Sequence, residues 1–149
     1  MRLRLIGIIA LLAACGGGGQ SKQPPYRARV DTRSLFERLG GQPAINAVVH
    51  EFVMTTHDDP RISMYFTNVD APKLEAAMDQ HICSITGGQC EYKGKTMLAA
   101  HTNMKLQEKD FDAFMDDLTK VLAKLQVPSR EAGEVVAAFT QMKADVVGH

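Results

Sequence analysis

The sequence predicts an all-α domain. Apolar residues recur at helical spacing in several separate stretches. Helix-start and helix-stop residues punctuate those stretches. No stretch alternates apolar and polar residues as a half-buried strand would. In order, Ser34-Leu35-Phe36-Glu37 reads as a capping box, in which serine accepts from a backbone N–H and glutamate reaches back. Gly40-Gly41 stops that helix early. Pro43 suits the first turn of the next helix, which carries Ala44, Ile45, Val48, Val49, Phe52 and Val53 and ends at Asp58-Asp59-Pro60. A short apolar turn follows through Ile62, Met64, Tyr65 and Phe66. Pro72 opens a helix with Leu74, Ala77, Met78, His81, Ile82 and Ile85 on one face, closed by Gly87-Gly88. A loop with Tyr92 and Gly94 leads to Met97, Leu98 and His101. A long amphipathic helix runs from Phe111 to Leu125 with Asp110 as its cap, and Pro128-Ser129 breaks the chain. The last helix carries Val135, Val136, Phe139, Met142 and Val146.

Ahead of this domain the chain reads as an address. Arg2 and Arg4 precede an apolar run from Leu5 to Leu12, and Ala13-Ala14-Cys15 follows, which is the order of a secretory signal. The apolar run is too short to stay in a bilayer as a spanning helix. The small-small-Cys ending resembles the lipobox of bacterial lipoproteins. That resemblance implies cleavage before Cys15 and acylation of its thiol, so that the chain is exported and anchored to a membrane on the periplasmic side. An ordinary cleaved signal with an incidental cysteine is the plainer alternative. Residues 16–25, GGGGQSKQPP, are too poor in apolar side chains to fold and read as a tether. The expected organisation is a signal peptide at 1–14, a lipidated cysteine and linker at 15–31, and one domain at 32–149.

Composition excludes some functions. Losing Arg2 and Arg4 with the signal leaves 15 basic and 17 acidic side chains, with no basic block for a nucleic-acid backbone. There is no tryptophan among the 149 residues but there are eight methionines, so adaptable thioethers fill much of the core volume. No HExxH, CxxC or CxxCH spacing occurs, which removes the usual zinc sites and covalent haem attachment of the c type. Five histidines remain. His50, His57 and the terminal His149 read as solvated. His101 differs, because Met97, Leu98, Met104 and Leu106 flank it at near-helical spacing and turn it toward a core. His81 lies on the apolar face of its own helix. Either ring is a satisfied core histidine or a ligand, and spacing alone does not choose.

Several separated motifs, in order, resemble the truncated haemoglobins of group I. They are Leu35-Phe36-Glu37-Arg38-Leu39-Gly40-Gly41, Asp59-Pro60-Arg61-Ile62 through Tyr65-Phe66, and Gly87-Gly88-Gln89-Cys90-Glu91-Tyr92-Lys93-Gly94 followed by Met97 and Ala100-His101. The resemblance covers about residues 34–147. It implies a truncated globin-like two-over-two helical sandwich around haem b, with His101 as the iron ligand and its second ring nitrogen held by a backbone carbonyl. It places Phe66 on the porphyrin face, Met97 below the ring, and Lys73 and Tyr92 toward the propionates.

On the distal side the chain departs from the family pattern. Phe52 is followed by Val53 where many members carry tyrosine, and Leu74 and Met78 stand where glutamines are common. The expected hydrogen-bond donors to a bound ligand are therefore apolar. His81, a turn further on, is the nearby polar side chain; it donates to the ligand, binds iron, or points to solvent. The implied function is an exported globin that reversibly binds oxygen, nitric oxide or carbon monoxide. The alternative is a haem enzyme performing nitric oxide dioxygenation or peroxidase-like chemistry with an unknown reductant. Cys83 and Cys90 lie on either side of Gly87-Gly88, whose freedom allows a reversal that brings the thiols together. In an oxidising compartment they pair; otherwise both stay reduced.

Overall fold

In a computed structural model the structure describes residues 31–149. The signal peptide, Cys15 and the tether up to residue 30 lie outside the described residues. Seven α-helices follow one another: α1 (Leu35–Leu39), α2 (Gln42–Asp58), α3 (Ala71–Ile85), α4 (Met97–His101), α5 (Glu108–Lys124), α6 (Ser129–Thr140) and α7 (Lys143–Val146), with a 3-10 turn at Ser63–Tyr65. No strand occurs among the described residues. The α2–α3 pair packs on the α5–α6 pair through α2 and α5. Their shared core holds Ile45, Val49, Phe52 and Val53 from α2, with Ile82, Leu118, Leu122 and Phe139 facing them.

The short α1 has the start and stop that its sequence demands. Ser34 Oγ accepts from the Glu37 N–H at 3.2 Å, and the Ser34 N–H donates to the Glu37 carboxylate at 2.9 Å. Gly40 and Gly41 both adopt positive φ, +105° and +72°, which a side chain would strain. Arg38 then fastens α1 to α6 through the carboxylates of Glu131 and Glu134.

Two elements differ from the sequence reading. Asp110 is not the first cap of the long helix. That helix begins at Glu108, and Asp110 accepts from the Gln107 N–H at 2.9 Å, reaching backward as the third residue of a capping box. The last helix is two helices, because Met142 N–H bonds the Phe139 carbonyl and tightens the backbone between α6 and α7.

Three ties position the site. Arg61 holds the Asp59 carboxylate with its side chain at 2.9 Å and reaches Asp116 on α5 at 3.0 Å. This guanidinium keeps the Asp59 carboxyl well below the usual carboxylate range and anchors the turn that carries Phe66. The segment after α4 is held by the chain end, through Lys105 N–H to His149 carbonyl at 2.6 Å and Gly148 N–H to Leu106 carbonyl at 2.9 Å. Cys83 and Cys90 form a disulfide with their Cα atoms 5.8 Å apart. A Cβ on Gly88 would come within 2.5 Å of Cys83 Sγ, so the bond needs glycine there. Closing so short a ring contributes about 2–3 kcal/mol on the chain-entropy account.

Candidate functional site

Three stripes of side chains converge on one cavity of about 330 Å³. Ile62, Tyr65, Phe66 and Val69 form the first. Leu74, Ala77, Met78, His81 and Ile82 on α3 form the second. Met97, Ala100, His101 and Met104, on and just after α4, form the third. Each stripe follows the i, i+3, i+4, i+7 spacing of a helix face. Phe111, Phe114, Phe139 and Met142 close the inner end. The volume lies in the range of ligand pockets, and the wall is mostly apolar with a few polar groups.

His101 is the key polar group. Thr96 caps α4 by accepting from the Ala99 N–H at 3.2 Å, which fixes where this five-residue helix begins. One turn later the His101 ring lines the cavity, with Nδ1 2.7 Å from the Met97 carbonyl. A carbonyl only accepts, so Nδ1 carries the proton and donates. The lone pair then sits on Nε2, which has no hydrogen-bond partner among the described residues. Sequence reasoning expected a backbone carbonyl behind His101 without choosing it; the structure identifies Met97.

The α3 wall offers little to a polar ligand. Leu74 and Met78 line the cavity with apolar atoms. His81 lines it too and is half-buried, with its ring edge-on to Tyr92 at a centroid distance of 4.8 Å. Burial lowers the His81 pKa from its ordinary 6.5, so the neutral imidazole is favoured. Tyr92 also lines the cavity, and its hydroxyl donates to the Lys95 carbonyl at 2.8 Å.

Not every expected residue reaches this wall. Phe52 and Val53 are buried in the core between the helical pairs, at 1% and 3% exposure, and are not among the lining residues. Phe52 touches the site at one remove, its ring 4.7 Å from that of Phe114. Lys73 also lies off the wall; it is exposed and pairs with Asp70 at 3.1 Å. His50 is exposed and contacts Glu75 at 3.1 Å, and His57 is exposed. His149, also exposed, places Nε2 3.0 Å from the Ala144 carbonyl.

Sequence reasoning did not find the polar pair on the wall. The Tyr65 hydroxyl donates to Asp110 Oδ2 at 3.0 Å. Burial raises the Tyr65 pKa, and Asp110 raises it further. The only signal was the i, i+3, i+4 relation of Tyr65 to Ile62 and Phe66. Asp110 is 45 residues away and nothing local announces it.

The donor set fits a haem. One imidazole has Nδ1 anchored on a backbone carbonyl and Nε2 without a partner among the described residues, and the surrounding wall is mostly apolar.

Comparison with known proteins agrees with that geometry. The model of the bacterial-like globin family matches residues 34–147. The chain is 33% identical over 115 residues to a group 1 truncated haemoglobin of Tetrahymena thermophila, covering 77% of this chain and 95% of that one. Among solved structures, the Fe(III) truncated haemoglobin of Tetrahymena pyriformis is 30% identical, with a TM-score of 0.75, over 78% of this chain and 100% of that one. The cyanomet 2/2 haemoglobin of Synechococcus sp. PCC 7002, which carries covalently attached haem, is 30% identical with a TM-score of 0.74 over the same shares. With two helical pairs, an apolar cavity and an anchored imidazole in it, the chain belongs to the bacterial-like globin family, whose members are haem proteins.

Proposed function

We propose that this globin holds haem b in the α3–α4 cavity through His101, and that it reversibly binds a diatomic gas there. The observation that carries the reading is the pairing of the Met97 carbonyl with His101 Nδ1, which leaves Nε2 available at an apolar wall. Haem held by His101 would supply an iron able to bind a gas. The chain's part is to orient the imidazole, keep the wall dry, and set how firmly the gas is held. Leu74 and Met78 exclude water and donate no hydrogen bond. The Tyr65–Asp110 pair satisfies itself, with Asp110 Oδ2 also accepting from the Gln107 N–H. No acid–base pair on α3 stands ready to move protons, which favours binding and release over turnover.

We also propose that the mature chain is exported and held at a bacterial membrane by acylated Cys15. The order of residues 1–15 supports this. So does the Cys83–Cys90 disulfide, which suits an oxidising compartment. Among the described residues no helix is long and apolar enough to cross a membrane.

Four measurements test these statements. His101→Ala protein should keep its helical circular dichroism and lose the Soret band; an unchanged haem spectrum contradicts ligation by His101. Met78→Gln places an amide donor on the wall and should slow oxygen release about ten- to a hundredfold, since a hydrogen bond to a charged acceptor contributes about 1.5–3 kcal/mol. Val53 itself packs into the core and does not line the cavity. An unchanged release rate in Met78→Gln means that the gas binds elsewhere. Cys15→Ser should move the protein from the membrane fraction to the soluble fraction, whereas retention would exclude a lipid anchor at that cysteine. Finally, His81 should titrate below 6.5 in the diamagnetic carbon monoxide form, followed by proton resonance. With the folded pKa lowered, its contribution to stability is whole above about pH 6.5 and is lost as pH falls through the folded value. A midpoint at or above 6.5 would place the ring in solvent.

A further inference from the structure

We propose that the Cys83–Cys90 disulfide is a redox-operated latch at the rim of the cavity: oxidised, it holds Tyr92 against His81; reduced by a dithiol, it releases that wall. This rests on the haem reading of the cavity given above. The bond joins two parts of the wall that little else joins. Cys83 is fully buried on α3 beside Ile82, a lining residue. Cys90 precedes the lining residue Tyr92 by two positions. From residue 89 to residue 95 no backbone group hydrogen-bonds the backbone of another described residue. The Tyr92 hydroxyl turns back on Lys95 of its own loop, and Lys93 pairs with Glu91 of the same loop at 3.2 Å. Cys90 Sγ lies 3.9 Å from Gln42 Oε1, but a disulfide sulfur has no proton to donate.

The covalent tie therefore decides where Tyr92 sits. With Cys90 fixed to α3, two residues of chain allow Tyr92 to range at most about 7 Å from it. With the bond open, the segment between Gly88 and the α4 cap at Thr96 has no backbone hydrogen bond to other described residues and keeps the packing of Cys90 against the core. The Tyr92–His81 ring contact is then left to oppose the entropy of a free loop.

The chemistry balances with a dithiol as the reductant. Cys90 is partly exposed and Cys83 is not, so a thiolate of the dithiol attacks Cys90 Sγ. The S–S bond breaks, Cys83 leaves as thiolate and takes a proton, and a mixed disulfide forms on Cys90. The second thiolate of the reductant attacks its own bonded sulfur and releases Cys90, which is protonated in turn. The protein gains two electrons and two protons, and the dithiol departs as its disulfide.

The test compares the full-length haem-loaded protein before and after excess dithiothreitol, with free thiols counted by mass spectrometry, alongside Cys90→Ser. Two rates are read: trypsin cleavage after the exposed Lys93 and Lys95, and transfer of ferric haem to excess apomyoglobin. Both should rise about tenfold in the reduced protein and in Cys90→Ser, while cleavage after Lys120 and Lys124 in α5 stays unchanged. Tyr92→Ala in the oxidised protein should speed haem transfer alone. Equal rates in the oxidised and reduced proteins would overturn the latch. So would a bond that persists in dithiothreitol, or an equal rise in cleavage within α5, which would make the bond a general staple. A preparation without a Soret band would instead defeat the haem reading, and the trypsin rates would still report on the loop.

Discussion

The molecule is organised around an apolar cavity that is large for the domain enclosing it. Its wall is mostly apolar, broken by His81, Tyr92, His101 and the Tyr65–Asp110 pair. A wall of that kind suits a largely apolar ligand held by a few polar contacts. The remaining architecture keeps that space open and shaped. The helical pairs meet through α2 and α5, and their shared core leaves the α3 stripe, the α4 stripe and the turn before α3 facing inward.

The walls are held by unlike means. The turn with Phe66 is fixed by charge, through Arg61 and its aspartates. The α4 segment is fixed by backbone bonds to the chain end and by the cap at Thr96. The loop with Tyr92 is fixed by a covalent bond. Ion pairs and backbone bonds respond weakly to cellular redox state, whereas a disulfide responds directly. One wall of the site is thereby exposed to a variable that the others ignore.

Polarity in the site is unevenly shared. The His101 Nδ1–H is oriented by a carbonyl on its own helix, four residues back, so the ring orientation survives any movement that leaves α4 intact. The α3 face is apolar except at His81, whose burial lowers its pKa and favours the uncharged ring. Tyr65 and Asp110 are polar but occupied with each other and with the start of α5. For the haem proposed here the site offers one imidazole and much apolar surface, and α3 offers few hydrogen-bond donors to a gas.

Much of this was legible in one dimension. The capping box at Ser34, the paired glycines, and the spacing of Leu74, Met78 and His81 are local patterns, and local patterns fix helices and their inward faces. The position of His101 among apolar neighbours was equally local. What sequence could not show is which inward faces share a space. Val53 sits one residue from Phe52 on an inward face, yet both belong to the core between helices, while Leu74 and Met78 belong to the cavity. Tyr65 meets Asp110 across 45 residues, and Cys83 meets Cys90 only because α3 ends where it does. Periodicity is set by a helix acting on its own side chains. Convergence is set by how helices cross, which depends on the packing of all of them at once.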